Sequence, residues 1–248
     1  MIRLRRAPLA LLLITVAAGG ALAQPKFDLK STTDESRGDA LSNPALKGPQ
    51  VLTFMGLKRG DRVADIIPGR FTTAFAAAVG PKGRVYDVMP TEIIKFHPEI
   101  AAAIEGHKSQ PAYANVEFST PAINDMVLPN RLDAVFIRQN YHDLHVRFMG
   151  PADVPAFNRK VFAALKPGGV YVIIDHVASP GMDLTTATNR FHRIDPATVK
   201  AEVEAASFKL DGESDLLADK TDAHDKMVLE TSILGKTDQF LLRFRKPK

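Results

Sequence analysis

The chain has 248 residues, a formal net charge of +4 and no cysteine. The lack of cysteine excludes disulfides, a thiolate nucleophile and thiolate metal ligands. Three arginines and no acid lie in the first 23 residues, so the remaining 225 residues have a formal charge of only +1. No basic stripe is interleaved with aromatic residues, and we therefore expect no nucleic-acid partner.

The N-terminus has the pattern of a secretory signal peptide. A basic start with three arginines is followed by an uncharged run over residues 7–23, which ends in Ala21-Leu22-Ala23. This order of basic, apolar and small residues predicts cleavage before Gln24 and a periplasmic or secreted mature protein. The alternative is an uncleaved anchor, but that needs about 20 strongly apolar residues, and the second half of this run is mostly alanine and glycine. We expect no membrane contact after cleavage.

Two further regions follow the leader, an arm and one large domain. Residues 24–43 are polar and predict an arm that lies on the domain or is partly disordered. Residues 44–248 alternate between strand and helix patterns, which predicts one α/β domain. The predicted strands cover residues 62–67, 84–89, 116–119, 132–137, 170–174, 208–215 and 239–244. The predicted helices begin at Asn43-Pro44 and cover residues 71–79, 91–105, 154–165 and 195–206.

This alternation predicts a doubly wound, Rossmann-like sheet. Strands separated by helices form right-handed crossovers, so most of the sheet is expected to be parallel with helices on both faces. No helix pattern separates the last two strands, which predicts an antiparallel pair at one edge. In such a sheet, ligands bind beyond the carboxyl ends of the strands, where the strand order reverses. The segments that follow the strands are therefore the candidate site.

Several of these segments, and the elements around them, resemble class I S-adenosylmethionine-dependent methyltransferases. The resemblance is carried by Gly60-Asp61-Arg62-Val63-Ala64-Asp65, by residues 76–86 and by Leu165-Lys166-Pro167-Gly168-Gly169 before the fifth strand. Residues 140–145 and 192–196 are similar to a bacterial group of predicted methyltransferases that often carry signal peptides. The match extends over about residues 46–247. It implies seven strands with the last one antiparallel, and S-adenosylmethionine as the cofactor.

The resemblance also implies the cofactor-binding residues. Asp65, Pro68 and Gly69 would shape the loop beneath the amino-acid part and the ribose of the cofactor, since a glycine allows the backbone to approach a ligand closely. Asn140 would contribute from the end of the fourth strand. The glycine turn is about two residues shorter than the family pattern, and Met89 stands where many members place the acid that binds the ribose. Glu92 or Asp87 could replace that acid, and we expect Glu92 at the cofactor.

The candidate catalytic residues follow the fourth and fifth strands. Tyr141 is expected beside the methyl acceptor, and His142 or His176 is expected to take the acceptor proton, because a histidine titrates near neutral pH. His145 and His192 should lie on the same edge of the sheet. The alternatives are that these histidines cap helices or satisfy buried carbonyl groups. Metal binding is also open, but the spacing matches no strong zinc motif, so no metal ligand is predicted.

Two functions are compatible with these patterns. The first is an S-adenosylmethionine-dependent methyltransferase that acts on a small molecule. The second is a non-catalytic protein on the same scaffold, with a degraded cofactor loop and a small molecule or metal bound at the histidines. The shortened loop and Met89 favour the second function, whereas the polar residues after the fourth strand favour the first. No pattern indicates an oligomeric state.

Overall fold

A single mixed sheet of seven strands forms the centre of the protein in a computed structural model, which describes residues 38–248. The strands are β1 (Arg62–Ile66), β2 (Arg84–Val88), β3 (Val116–Ser119), β4 (Leu132–Arg138), β5 (Leu165–His176), β6 (Lys209–Ser214) and β7 (Gln239–Arg245). Their spatial order is β3-β2-β1-β4-β5-β7-β6. The first five strands are parallel, and β7 runs antiparallel to both β5 and β6. The predicted fold class is confirmed.

Seven helices accompany the strands in the described part of the chain. They are α1 (Gly48–Met55), α2 (Thr72–Val79), α3 (Thr91–Phe96), α4 (Glu99–His107), α5 (Val154–Ala164), α6 (Leu184–Phe191) and α7 (Pro196–Ala205). Apolar residues of α1 and α2 pack on one face of the sheet, and those of α3, α4, α5 and α7 pack on the other. Residues Ala134 to Ile137 of β4 are all buried between these two layers, as expected for a central parallel strand.

Two helix predictions need correction, and one helix was not predicted. The helix predicted over residues 91–105 divides into α3 and α4 at His97-Pro98, because proline lacks the N–H that would continue the first helix. The helix predicted from Pro44 divides into a 3₁₀ turn at Pro44–Leu46 and α1, with Lys47 in the left-handed conformation between them. No pattern in the sequence predicted α6 (Leu184–Phe191).

Some predictions lie partly or wholly outside the described residues. The leader (residues 1–23) and most of the arm (residues 24–37) belong to this part, so cleavage and export stay predictions. At the described end of the arm, Ala40 is buried and its N–H donates to the carbonyl of Arg70, so these residues lie on the domain. No helix among residues 38–248 is long and apolar enough to cross a membrane.

The strand order places the reversal point between β1 and β4. The chain runs outward from β1 to β2 and β3, then returns to β4 on the other side of β1. The connections that leave β1 and β4 therefore diverge and leave a crevice at the carboxyl edge of the sheet. The long connection between β6 and β7, residues 215–238, crosses the same edge and contributes Met227 to Leu229 to the walls of that crevice.

Candidate functional site

A cavity of about 620 Å³ lies at this carboxyl edge. It reaches from Met89 after β2, over the loop of residues 67–70 after β1, to residues 138–140 at the end of β4 and His176 at the end of β5. Its volume is within the range of about 300–1,000 Å³ that small-molecule sites occupy. The segments that follow β1, β2, β4 and β5 thus meet in one cavity, as the sequence analysis predicted.

The loop after β1 forms the floor of the cavity. Pro68 and Gly69 both line it, and a Cβ added to Gly69 would meet no atom within 4 Å. Ile67 has a φ of 51°, which is rare for a β-branched residue. Gln139 and His192, on other walls of the cavity, are also left-handed, with φ of 59° and 52°. Backbone strain of this kind concentrates at functional sites.

Asp65 lies beneath this loop and does not line the cavity. It is 2% exposed and accepts a hydrogen bond of 2.9 Å from the hydroxyl of Thr72, the first residue of α2. Burial, and then the nearby carboxyl of Asp87, raise the pKa of Asp65 well above its usual value. Asp65 was expected to shape the loop beneath the cofactor, and from this position it would act through the loop and not by contact with a ligand in the cavity. The position of Asp65 fits a role in holding the loop against α2.

Glu92 also lies away from the cavity, against the prediction that it replaces the missing ribose acid. Both of its carboxylate oxygens accept from the backbone N–H of Ile123, at 3.2 and 3.1 Å. This contact holds the segment after β3 in place and engages the carboxylate of Glu92 there. Asp87 does not line the cavity either. The end of β2 presents Met89 and the first turn of α3 presents Ile93, so this part of the wall is apolar.

Asn140 lines the cavity and joins two of its walls. Its side-chain amide donates to the carbonyl of Arg138 at 2.6 Å and lies 3.5 Å from the carbonyl of Ile67. Arg138 is a further lining residue that the sequence analysis missed, and its guanidinium lies over the ring of Phe71, 5.7 Å from its centre. Arg70 lines the cavity as well. These two arginines place positive charge beside the loop that contains Gly69.

Tyr141 points away from the cavity and therefore does not take the position expected for it beside the methyl acceptor. Its side chain is fully buried, and its hydroxyl donates to Glu202 at 3.0 Å and accepts from Asn158 at 2.8 Å. His145 contacts the same carboxylate of Glu202, at 3.3 Å, and does not join the other histidines. Both residues lie in or beside a 3₁₀ turn over His142–His145, and of this turn only His142 and Asp143 line the cavity.

His142 lies at the cavity, but two carboxylates surround it. Asp175 of β5 binds it twice, through the ring nitrogen Nδ1 at 2.8 Å and through the backbone N–H at 2.8 Å. Asp143 Oδ1 lies 3.2 Å from the other ring nitrogen, Nε2. Burial opposes the charged ring, but Asp175 and Asp143 outweigh it and raise the pKa of His142 to about 10. A ring in this state is protonated at neutral pH and cannot accept a proton.

His192 completes a compact group with His142 and Asp143. Its Nδ1 lies 3.2 Å from His142 Nε2 and 3.6 Å from Asp143 Oδ1. His192 ends α6, and its left-handed conformation turns the chain at this point. His192 was expected at the same edge of the sheet as His142, and both line the cavity. The contact between their rings was not predictable, because they are 50 residues apart and α6 was not predicted.

His176 occupies the opposite wall, at the end of β5. It is buried, and the hydroxyl of Thr237 lies 2.8 Å from its Nδ1. Burial, and then the positive charges of His142 and Arg193, lower the pKa of His176 well below its usual value. This ring is therefore neutral at neutral pH. Of the two predicted bases, His176 alone is in the protonation state that a base requires.

Comparison with solved structures identifies the fold. A SAM-dependent methyltransferase from Aquifex aeolicus is 21% identical, with a TM-score of 0.55, and the match covers 89% of this chain and all of that one. Phosphoethanolamine N-methyltransferase 2 from Haemonchus contortus, solved with S-adenosyl-L-methionine, is 18% identical with a TM-score of 0.52, over 82% of this chain and 52% of that one. The chain thus has the Rossmann-like fold of the class I methyltransferases.

The same fold also occurs in a protein with a different named activity. The cyclase SpnF is 15% identical to this chain, with a TM-score of 0.57, and the match covers 92% of this chain and 88% of that one. No model of a known protein family matches the chain, and no curated protein sequence matches it. The fold alone therefore leaves the activity open, and the function must be argued from the cavity.

Proposed function

We propose that this protein is an S-adenosylmethionine-dependent methyltransferase that acts on a small molecule. The observation that carries this proposal is the cavity itself. It lies at the reversal point between β1 and β4, and Gly69 and His176 line the same space. The cofactor supplies an activated methyl group when it is bound. The protein is then required mainly to position donor and acceptor.

The two ends of the cavity differ in the chemistry they offer the cofactor. Pro68 and Gly69 would support the amino-acid part, and the guanidinium groups of Arg70 and Arg138 would complement its carboxylate. Met89 and Ile93 form an apolar wall that would accept the adenine ring. The ribose would be held without an acid from β2. This assignment leaves the region around His176 and His142 for the methyl acceptor.

His176 is the residue best placed to accept a proton from the acceptor. The hydroxyl of Thr237 engages Nδ1 and fixes the ring, so Nε2 is the nitrogen that remains for an acceptor hydroxyl or amine. His142 does not fill this role, because Asp175 engages its Nδ1 and the group with Asp143 and His192 surrounds its Nε2. We therefore assign the base to His176.

A titration with S-adenosylmethionine and S-adenosylhomocysteine tests the cofactor site, with Gly69→Val as the decisive variant. A Cβ added at Gly69 meets no protein atom within 4 Å, so we expect the variant to fold normally and its side chain to fill the floor of the cavity. The wild-type protein should gain about 2.7 kcal/mol of stability at 100 times the dissociation constant. Gly69→Val should bind at least tenfold more weakly.

The matched control is Gly106→Val, on the surface of α4, where an added Cβ also has open space. It should bind the cofactor as the wild type does. If the wild type and Gly69→Val bind the cofactor with equal affinity, the cofactor does not lie against the loop after β1. A wild-type protein that shows no stabilisation at millimolar cofactor would contradict the proposal.

That last outcome would favour the second function, a non-catalytic binding protein. This second function is supported by the contact of the Glu92 carboxylate with the N–H of Ile123, because no acid from β2 or α3 then reaches the cavity. Transfer of a labelled methyl group to a panel of small amines, phenols and thiols separates the two functions. Under the methyltransferase proposal, His176→Gln should keep its cofactor affinity and lose at least 100-fold in transfer rate.

We also propose that the mature protein begins at Gln24 and works outside the cytoplasm. The support is the pattern of the first 23 residues alone, namely the arginines, the apolar run and Ala21-Leu22-Ala23. Mass measurement of the protein recovered from a periplasmic fraction tests this. An intact N-terminus on all recovered protein would contradict it.

A further inference from the structure

Three metal-ligating side chains converge on one point of the cavity wall. They are His142 and Asp143, which follow β4, and His192 at the end of α6. The donor atoms are His142 Nε2, Asp143 Oδ1 and His192 Nδ1. Their separations are 3.2 Å between the two nitrogens, 3.2 Å from His142 Nε2 to the oxygen and 3.6 Å from His192 Nδ1 to the oxygen.

These separations match the spacing that a tetrahedral ion imposes. Donors bound at about 2.0–2.1 Å in a tetrahedron lie about 3.3–3.4 Å apart, whereas neighbouring donors of an octahedron with the same bond length lie about 2.9 Å apart. The mean of the three observed separations falls close to the tetrahedral value. Two imidazoles with one carboxylate are also a common donor set for a zinc ion that keeps its fourth position open.

A second carboxylate orients the first histidine. Asp175 accepts from His142 Nδ1 at 2.8 Å, which directs Nε2 of the same ring at Asp143 and His192. A carboxylate behind a ligating histidine is the usual support of a zinc-bound imidazole. Asp175 is fully buried and also accepts from the backbone N–H of His142, so the ring is held in one orientation.

Asp143 is held in the group by ion-pair distances alone. Its Oδ1 is buried and accepts no well-aligned hydrogen bond from any described residue, although both imidazoles lie within ion-pair distance. Asp143 is 7% exposed and lines the cavity, where it is the only carboxylate among the described lining residues. An unsatisfied buried oxygen calls for an explanation such as a bound ion.

From these contacts we infer that His142, Asp143 and His192 form a binding site for one Zn²⁺ ion, which takes the place of the Nε2 proton of His142, with Asp175 as the supporting carboxylate. The fourth position of the ion faces the cavity, where a polar group of a small molecule can bind. The inference goes beyond the proposed methyltransferase activity and does not depend on it, because it rests only on these four side chains.

The test is metal binding to the full mature chain without a polyhistidine tag. After treatment with a chelator, the wild-type protein should bind one Zn²⁺ per chain by calorimetry, and its melting temperature should rise when Zn²⁺ is added. Co²⁺ in the same site should show the intense visible absorption of a four-coordinate ion. Mg²⁺ at the same concentration should not bind, because imidazole is a poor ligand for it.

Variants assign the site to these residues. Asp143→Asn and His192→Asn should each weaken Zn²⁺ binding at least 100-fold, and asparagine tolerates the left-handed backbone at position 192. Asp175→Asn should weaken binding about 10- to 100-fold. His145→Gln is the matched control, because His145 lies on the same 3₁₀ turn but contacts Glu202 instead, and it should bind Zn²⁺ as the wild type does.

Two results would overturn the inference. One is a wild-type chain that takes up less than a tenth of an equivalent of Zn²⁺. The other is His192→Asn binding as tightly as the wild type while its melting curve shows that it is folded. The assay contains no S-adenosylmethionine, so its outcome is separate from that of the cofactor titration.

Discussion

Two carboxyl groups face each other beneath the cavity floor. Asp65 of β1 and Asp87 of β2 are paired in register, and the hydroxyl of Thr72 lies 2.9 Å from the first and 3.4 Å from the second. Burial raises the pKa of Asp87 to about 7, and the pKa of Asp65 is raised for the same reason and by Asp87. At neutral pH, the pair therefore holds less negative charge than two free carboxylates.

This pair predicts a pH dependence of stability. Because the folded pKa of Asp87 lies above its unfolded value, the folded state binds more protons between about pH 4 and pH 7, and stability falls as pH rises through that window. Asp87→Asn should remove this loss. The free energy of unfolding of the variant should exceed that of the wild type by about 1–3 kcal/mol at pH 8, and the two values should approach each other at pH 4. Urea unfolding at several pH values measures the difference, and parallel curves for the two proteins would contradict the assignment.

The buried hydroxyl of Tyr141 predicts a structural phenotype. Tyr141→Phe removes a hydrogen bond to Glu202 and leaves the buried amide of Asn158 without its partner, so it should cost about 1–3 kcal/mol of unfolding free energy. Cofactor affinity should stay within twofold of the wild type, because the ring lies outside the cavity. Unfolding and calorimetry on the same preparation test both statements. A large loss of cofactor affinity without a loss of stability would instead support the role at the active site that was first predicted for Tyr141.

At the scale of single elements, the turn between α2 and β2 depends on one glycine. A Cβ on Gly83 would lie 2.5 Å from the Cβ of Val79 and 2.7 Å from the carbonyl oxygen of Asp61. Gly83→Ala should therefore destabilise the protein by about 1–3 kcal/mol. Gly106→Ala, within α4 and in open space, should instead be neutral or stabilising by up to about 1 kcal/mol. Thermal unfolding of both variants measures the contrast, and equal effects would contradict it.

The strands were predictable because their signal is local. All seven strands were predicted to within a few residues, the central ones from continuous apolar runs, although β5 extends from Leu165 to His176 and is longer than predicted. Helix α6 was missed because its eight residues are mostly polar and only Ala187 and Thr188 are buried, although Leu184, Ala187 and Phe191 do follow a helical spacing. Its start is set by a local cap, in which Asp183 accepts from the N–H of Thr186.

The candidate site was predictable in position but not in side-chain direction. Strand ends meet at one edge of a parallel sheet, and this rule brought Gly69, His142 and His176 to one cavity. The directions of Tyr141 and Glu92 depend on a 3₁₀ turn and on the segment after β3, which carry no periodic signal. Contacts between residues far apart in the sequence, such as the one between Asp175 and His142, form only when β4 and β5 pair, so no local pattern predicts them.

At the scale of the whole molecule, the connection between β6 and β7 closes the cavity. Met227, Val228 and Leu234 of this segment line it, and the segment is held by a fully buried ion pair between Arg193 and Asp222. Arg193 also donates to the carbonyl groups of Val177 and Lys226. One arginine thus joins the end of β5 and the turn after α6 to the wall of the cavity.

Asp222→Asn should loosen the connection between β6 and β7 that forms this wall of the cavity. The change leaves a buried guanidinium without its counter-charge, which we expect to cost about 3–5 kcal/mol. Hydrogen exchange over residues 215–238 should accelerate more than exchange over β1 and β4, and cofactor affinity should fall. Hydrogen exchange with mass spectrometry resolves the two regions. Uniform acceleration along the chain would show that the pair stabilises the whole fold and not this segment.

The central claim is that the cavity between β1 and β4 holds S-adenosylmethionine. A crystal structure with S-adenosylhomocysteine tests it most directly. We predict the amino-acid end over Gly69 between Arg70 and Arg138, and the adenine ring against Met89 and Ile93. A ligand bound at any other place, or crystals that stay free of it at millimolar concentration with the cavity open to solvent, would contradict the account.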